Sequence, residues 1–144
     1  MKAVVQRVNN ASLSCDGKLV SNIEKGLVVY FGVAVGDDES KADYLAKKIA
    51  NLRVFCDGNG KMNLSAVSLG YSILAVSQFT LLADVSHGNR PGFTDAEAPE
   101  RANELYEYFC SKLAELADVK KGVFGGDMTI NQENAGPVTI IYEG

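Results

Sequence analysis

The stretch that decides the fold is "GLVVYFGVAVGDDESKADYLAKKIANLRVF", residues 26–55. Its first ten residues form a near-continuous apolar run, as expected of a central strand. From Gly36 onward the period changes. Ala42, Leu45, Ala46, Ile49 and Ala50 fall at i, i+3, i+4, i+7 and i+8, the stripe of an amphipathic helix. Asp37 or Asp38 is the expected N-cap, since a short carboxylate accepts from backbone N–H groups that the first turn leaves free. A buried strand that hands over to a one-sided helix predicts both element types on one core.

Working outward, residues 2–8, 11–15 and 19–23 read as an antiparallel meander, with an Asp16-Gly17 turn between the last two. Downstream, a "DGNG" turn at 57–60 precedes "KMNLS" and a strand over 71–84. Residues 86–97, "SHGNRPGFTDAE", form a polar loop. Pro99 opens a second helix, whose apolar face is Ala102, Leu105, Tyr106, Phe109, Leu113 and Leu116. Two strand-like pieces, 122–131 and 138–142, close the chain. The expected fold is mixed α/β: a single domain of largely antiparallel sheet packed with two main helices.

The bulk composition narrows the function classes. The chain has 144 residues, 47% of them hydrophobic and 22% charged, which describes one globular domain. No apolar run approaches the roughly 18 residues of a membrane span, and the first residues read as a strand rather than a signal peptide. Cys15, Cys56 and Cys110 lack any CxxC spacing, which suits reduced thiols in a cytoplasmic setting. A net charge of −4 without a basic run argues against a nonspecific nucleic-acid binder. It leaves room for a site that grips one end of an RNA.

Ordinary catalytic equipment is scarce. His87 is the single histidine, and none of the scattered cysteines stands at ligand spacing from it, so neither metal nor cofactor is expected. There is no GxSxG elbow, P-loop or dinucleotide fingerprint. "GVFGG" (122–126) reads as a tight turn or bulge. Two polar features stand against this background. Ser77, Gln78 and Thr80 cluster in "SQFTL" where an apolar strand ends, a place for function or simply for polar residues leaving the core. Gly136-Pro137 precedes the β-branched run "VTII". It is either a turn feeding an edge strand, where proline is tolerated, or a device that aims two backbone carbonyls at a ligand.

Together these features resemble the D-aminoacyl-tRNA deacylases. The likeness runs through "AVVQRV", "KIANLRVF", "GKMNLS", "VSQFTLLAD", "NRPGF" and "NAGPVT", so it covers essentially the whole chain. Two positions depart from the family pattern: Gly92 stands where a serine is usual, and Ala135 where an aspartate usually precedes the glycine.

The resemblance implies that residues 1–144 form a single deacylase domain, acting as a cytoplasmic homodimer on the aminoacyl-tRNA 3′ end. The implied reaction is hydrolysis of the ester between a D-amino acid, and by the same logic glycine, and the terminal adenosine. It implies a cis Gly136-Pro137 peptide, whose two carbonyls point the same way and reach the partner subunit's pocket to reject L-amino acids. Arg7 would support that motif. Ser77, Gln78, Phe79 and Thr80 would form the catalytic segment, with Phe79 and Thr80 stabilising the oxyanion through backbone N–H groups or the Thr80 hydroxyl. The ribose hydroxyl beside the ester would assist the attack. Phe93, Phe124 and Met128 are candidates for the adenosine pocket. A non-catalytic RNA-binding module and a serine esterase built on Ser77 and His87 are the competing readings.

Overall fold

The computed structural model describes residues Met1–Gly144. A six-stranded sheet runs β2 (Lys18–Ile23), β1 (Lys2–Cys15), β3 (Gly26–Gly32), β6 (Ser72–Ser77), β7 (Val119–Lys121), and β8 (Met128–Glu143) pairs with β1 as well. β1 is antiparallel to β2, β3 and β8, whereas β3–β6 and β6–β7 are parallel. A two-stranded piece, β4 (Phe55–Cys56) with β5 (Met62–Leu64), flanks the "DGNG" turn. The helices are α1 (Glu39–Ala50), the short α2 (Ala66–Leu69) and α3 (Pro99–Ala114).

The sheet carries a core on each face. The larger one gathers Met1, Ala3, Val5, Leu27, Val29, Phe31, Ile73 and Ala75 with the apolar stripes of α1 and α3. Phe31 stacks on Phe109 with ring centroids 4.1 Å apart, and the buried Tyr106 hydroxyl donates to the Ala75 carbonyl at 2.9 Å. The smaller core holds Val8, Ala11, Leu13, Ile23, Val28, Leu74 and Val76 on the opposite face. Because β3 and β6 are apolar on both sides, they serve both cores, which is what the uninterrupted run at 26–35 encodes.

Every position of the expected α1 stripe is buried. Asp38 caps the helix by accepting from Lys41 N–H at 3.1 Å. Asp37 turns inward and accepts from the Met1 amine at 2.6 Å, from Lys41 Nζ at 2.9 Å and from Ala34 N–H at 2.7 Å. Burial pushes its carboxyl up, but these donors outweigh burial and hold it below the ordinary value. In α3 the expected face is buried through Leu113, while Leu116 lies beyond the helix and is 39% exposed.

The structure corrects three strand boundaries. Residues 2–15 are one strand rather than two, with a bulge against β8 at Asn9-Asn10. The strand expected over 71–84 ends at Ser77, and Phe79–Leu82 coils into a 3₁₀ turn. Residues 122–127 form the turn after β7, and β8 then runs unbroken from Met128, with Gly136-Pro137 inside it rather than before it.

Candidate active site

The "SQFTL" segment changes direction for a packing reason. Gln78 N–H donates to Phe31 O at 2.8 Å, which carries the β3–β6 pairing one residue past the strand. Leu81 N–H then closes onto Gln78 O at 3.4 Å and Ala83 N–H onto Thr80 O at 3.1 Å. The turn can sit there because residue 32 is glycine. A Cβ at Gly32 would stand 2.5 Å from Leu82 Cδ2 and 2.8 Å from Gln78 O. Ser77 and Gln78 are therefore half-buried, while Phe79 and Thr80 project from the turn, Phe79 with 56% of its surface exposed.

Gln78 Nε2 donates to Thr80 Oγ1, so the hydroxyl is tied to its neighbour's amide. His87 lies exposed in the loop, and no hydrogen bond joins it to Ser77 or Thr80. Nowhere do three or more His, Cys, Asp or Glu side chains converge. Cys110 is buried in α3, its thiol pushed up to about 12 by burial, while Cys15 and Cys56 lie on strands.

Gly136-Pro137 is a cis peptide bond. It lies where β8 falls out of step with β1: Asn134 pairs Val8 and Thr139 pairs Gln6, so residues 135–138 stand opposite Arg7 alone. Arg7 Nε donates to the Ala135 carbonyl at 3.1 Å, and Nη1 to the Val54 carbonyl at 2.5 Å. On the flank, Gln6 Nε2 reaches Thr139 Oγ1 at 3.2 Å, while Gln132 bridges Gln6, Asn134 and the Tyr30 hydroxyl. Gly136 has φ +118°, and a Cβ there would meet Arg7 Nη2 at 2.8 Å. Gly136 and Pro137 are themselves exposed. The arrangement is a short exposed loop braced from behind by one cation.

Phe93 packs edge-on against Phe79 with centroids 5.0 Å apart, so those two candidates meet at the turn. Phe124 instead packs near Tyr106, and Met128 approaches Val123 N–H through its sulfur at 3.4 Å. The Val54 carbonyl, Gly32 and the Gln6–Gln132 bridge escaped the sequence reading, because nothing local in the sequence points from Arg7 to Val54 or from Gly32 to Gln78.

The family profile described as D-Tyr-tRNA(Tyr) deacylase matches residues 4–143. A protein of Rhodopirellula baltica named D-aminoacyl-tRNA deacylase is 51% identical over 144 residues, 99% of each chain. One of Thermosipho melanesiensis with the same name is 49% identical over 145 residues, 99% of this chain and 97% of that one. A solved structure described as c-Myc DNA unwinding element binding protein superposes with a TM-score of 0.93 at 41% identity, covering 100% of this chain and 99% of that one. A second, described as a probable eukaryotic D-amino acid tRNA deacylase, shares the fold with a TM-score of 0.85 at 17% identity, covering 98% and 97%.

Proposed function

The chain belongs to the D-Tyr-tRNA(Tyr) deacylase family, and from that premise we propose that it hydrolyses the ester bond of D-aminoacyl-tRNA, releasing tRNA and the D-amino acid. It is a hydrolase acting on ester bonds. The observation that carries this reading is the family match along residues 4–143. In the cell the reaction is chirality proofreading of charged tRNA in the cytoplasm.

Substrate recognition falls to the Gly136 and Pro137 carbonyls. Oxygen acceptors of this kind bind an α-ammonium and crowd the space where an L side chain would project. A device that reads the α-carbon accepts many D-amino acids and also glycine, so glycyl-tRNA is a second substrate. The exposure of both residues and the brace from Arg7 support that role.

The tetrahedral intermediate develops negative charge on its carbonyl oxygen. Backbone N–H groups at the start of a short helical turn lack acceptors within that turn. Phe79 and Thr80 occupy that position and are exposed, which suits them to hold the oxyanion. The ribose hydroxyl next to the ester activates the attack, and the chain's part is to position the ester. A second copy of the chain completes each pocket, its Gly136-Pro137 loop facing the first copy's "SQFTL" turn. The long outer strand β8, with Ile141 62% exposed, offers the edge such a homodimer would cover.

Incubation with tRNA charged with D- or L-tyrosine tests the reading. Loss of the D ester with retention of the L ester is expected. Equal loss of both, or retention of both, rejects it.

A further inference from the structure

A groove of about 520 Å³ opens beside the C-terminal half of α1. Tyr44, Lys47, Lys48, Asn51, Arg53 and Tyr142 line it, giving it three cations and no carboxylate in a chain of net charge −4. Elsewhere six cations lie within 4.0 Å of a carboxylate, namely Lys2, Lys41, Arg101, Lys112, Lys120 and Lys121, while Lys18, Lys25, Lys61 and Arg90 are unpaired but do not line this groove. Lys47 and Lys48 have no such partner. Arg53 uses only Nε, on the Asn63 carbonyl at 2.9 Å.

A helix C-terminus favours cations by itself, which accounts for Lys47 and Lys48 in the last turn of α1. It does not account for Arg53, three residues past the helix, or for Tyr44, which is 58% exposed with Lys48 Nζ 5.5 Å from its ring centre. Cations interleaved with exposed aromatic rings are the chemistry that grips a sugar–phosphate chain. An adjoining hollow shares Tyr44 and Tyr142 but contains Glu143, so the positive character is confined to the first groove.

The groove is also linked to the Gly136-Pro137 loop. Arg53 directly precedes Val54, whose carbonyl anchors Arg7, and Arg7 anchors Ala135. Tyr142 lies five residues beyond Pro137 on β8, about 16 Å along a strand.

We propose that this groove binds the sugar–phosphate backbone of the tRNA acceptor end, with Lys47, Lys48 and Arg53 neutralising phosphates and Tyr44 packing on a base or ribose. The identity of the RNA rests on the deacylase reading above. The groove itself rests on its charge and its rings. For an acidic protein, polarity of this kind needs local attraction to hold a polyanion.

The test uses the whole chain and a Lys47→Ala/Lys48→Ala/Arg53→Ala variant, with a Lys47→Gln/Lys48→Gln variant that leaves the Arg53 bond to Asn63 in place. Size-exclusion and circular dichroism establish that each is folded and unchanged in assembly. Binding to an uncharged acceptor-stem hairpin is measured from low to moderate salt. Each lost phosphate contact should flatten the log–log salt slope by about 0.7–0.9. The triple variant should therefore lose about 2–3 in slope and at least about tenfold in low-salt affinity, and the double variant a proportionate share. With D-tyrosyl-tRNA, KM should rise at unchanged kcat, while hydrolysis of the short ester D-tyrosyl-adenosine stays as in the wild type. Unchanged hairpin affinity and slope would overturn the proposal. So would equal, equally cation-dependent binding of polyglutamate, which would assign the groove to an acidic polypeptide. If the wild type cleaves neither ester yet binds the hairpin through these cations, the groove stands and the deacylase reading fails.

Discussion

Arg7 grips the carbonyl of Ala135 at 3.1 Å, and the same guanidinium grips the carbonyl of Val54 at 2.5 Å. One side chain on β1 thus ties the edge-strand loop to the segment that follows α1. Two divergent acceptors need a planar, forked donor, which lysine lacks.

Arg7→Lys should therefore leave a folded chain with a loosened Gly136-Pro137 loop. Loss of one charge-assisted bond costs about 1.5–3 kcal/mol of stability. D-tyrosyl-tRNA hydrolysis should fall by about ten- to a hundredfold, or about 1.4–2.8 kcal/mol in the barrier. Urea melts paired with single-turnover deacylation measure both, and an activity loss no greater than the stability loss predicts would leave Arg7 a purely structural residue.

Three glycines separate backbone need from mere presence. Gly136→Ala puts a Cβ 2.8 Å from Arg7 Nη2 at φ +118°, costing about 1–3 kcal/mol and displacing the brace. Gly32→Ala drives a Cβ to 2.5 Å from Leu82 Cδ2 and lifts the 3₁₀ turn off β3. Both should lose most D-ester hydrolysis. Gly58→Ala meets nothing within 4 Å and should be neutral in the same assays.

The competing esterase design is addressed at two side chains. His87→Ala should leave D-specific hydrolysis within about tenfold, about 1.4 kcal/mol. Thr80→Ala removes the acceptor of Gln78 but keeps the backbone N–H, so its loss should fall far short of the roughly millionfold cost of deleting a true serine-hydrolase nucleophile. A covalent adduct on Thr80 detected by mass spectrometry would refute this.

Acid should find Asp37. Its carboxyl is held below the ordinary value of 3.8 in the folded chain, so its contribution is full above that value and is lost as pH falls below it. Asp37→Asn leaves the Met1 amine buried without a counter-charge and should cost about 3–5 kcal/mol at pH 7. The gap between variant and wild type, read from urea midpoints, should shrink toward pH 3.

The two helices were legible because their apolar stripes obey one local period, and the Asp16-Gly17 hairpin because both residues adopt positive φ. The join at Asn9-Asn10 was not, since two adjacent asparagines interrupt the strand-like pattern. Here both side chains reach Glu133 across the sheet, at 3.2 and 2.7 Å. The end of β6 was equally hidden. "FTLL" continues a strand-like pattern, and what stops it is the bond from Gln78 to Phe31 over a glycine 46 positions earlier in the chain. Residue types flagged the Ser77–Thr80 and Gly136–Pro137 segments, but the bracing of the second by Arg7 through Val54 is purely tertiary.

The four-against-one mismatch at Arg7 has an arithmetic consequence. Three surplus residues is an odd number, and side chains alternate with period two, so the mismatch exchanges the faces of β8. Even-numbered Met128 and Ile130 serve the smaller core, while even-numbered Val138, Ile140 and Tyr142 serve the helix-side core. Removing Ala135, Gly136 and Pro137 together would leave Val138 alone opposite Arg7, with every flanking pair still in register and every apolar residue still on its own core. The loop is thus a detachable insert in a strand that is complete without it. A chain shortened by those three residues should fold as before and be silent toward D-aminoacyl-tRNA.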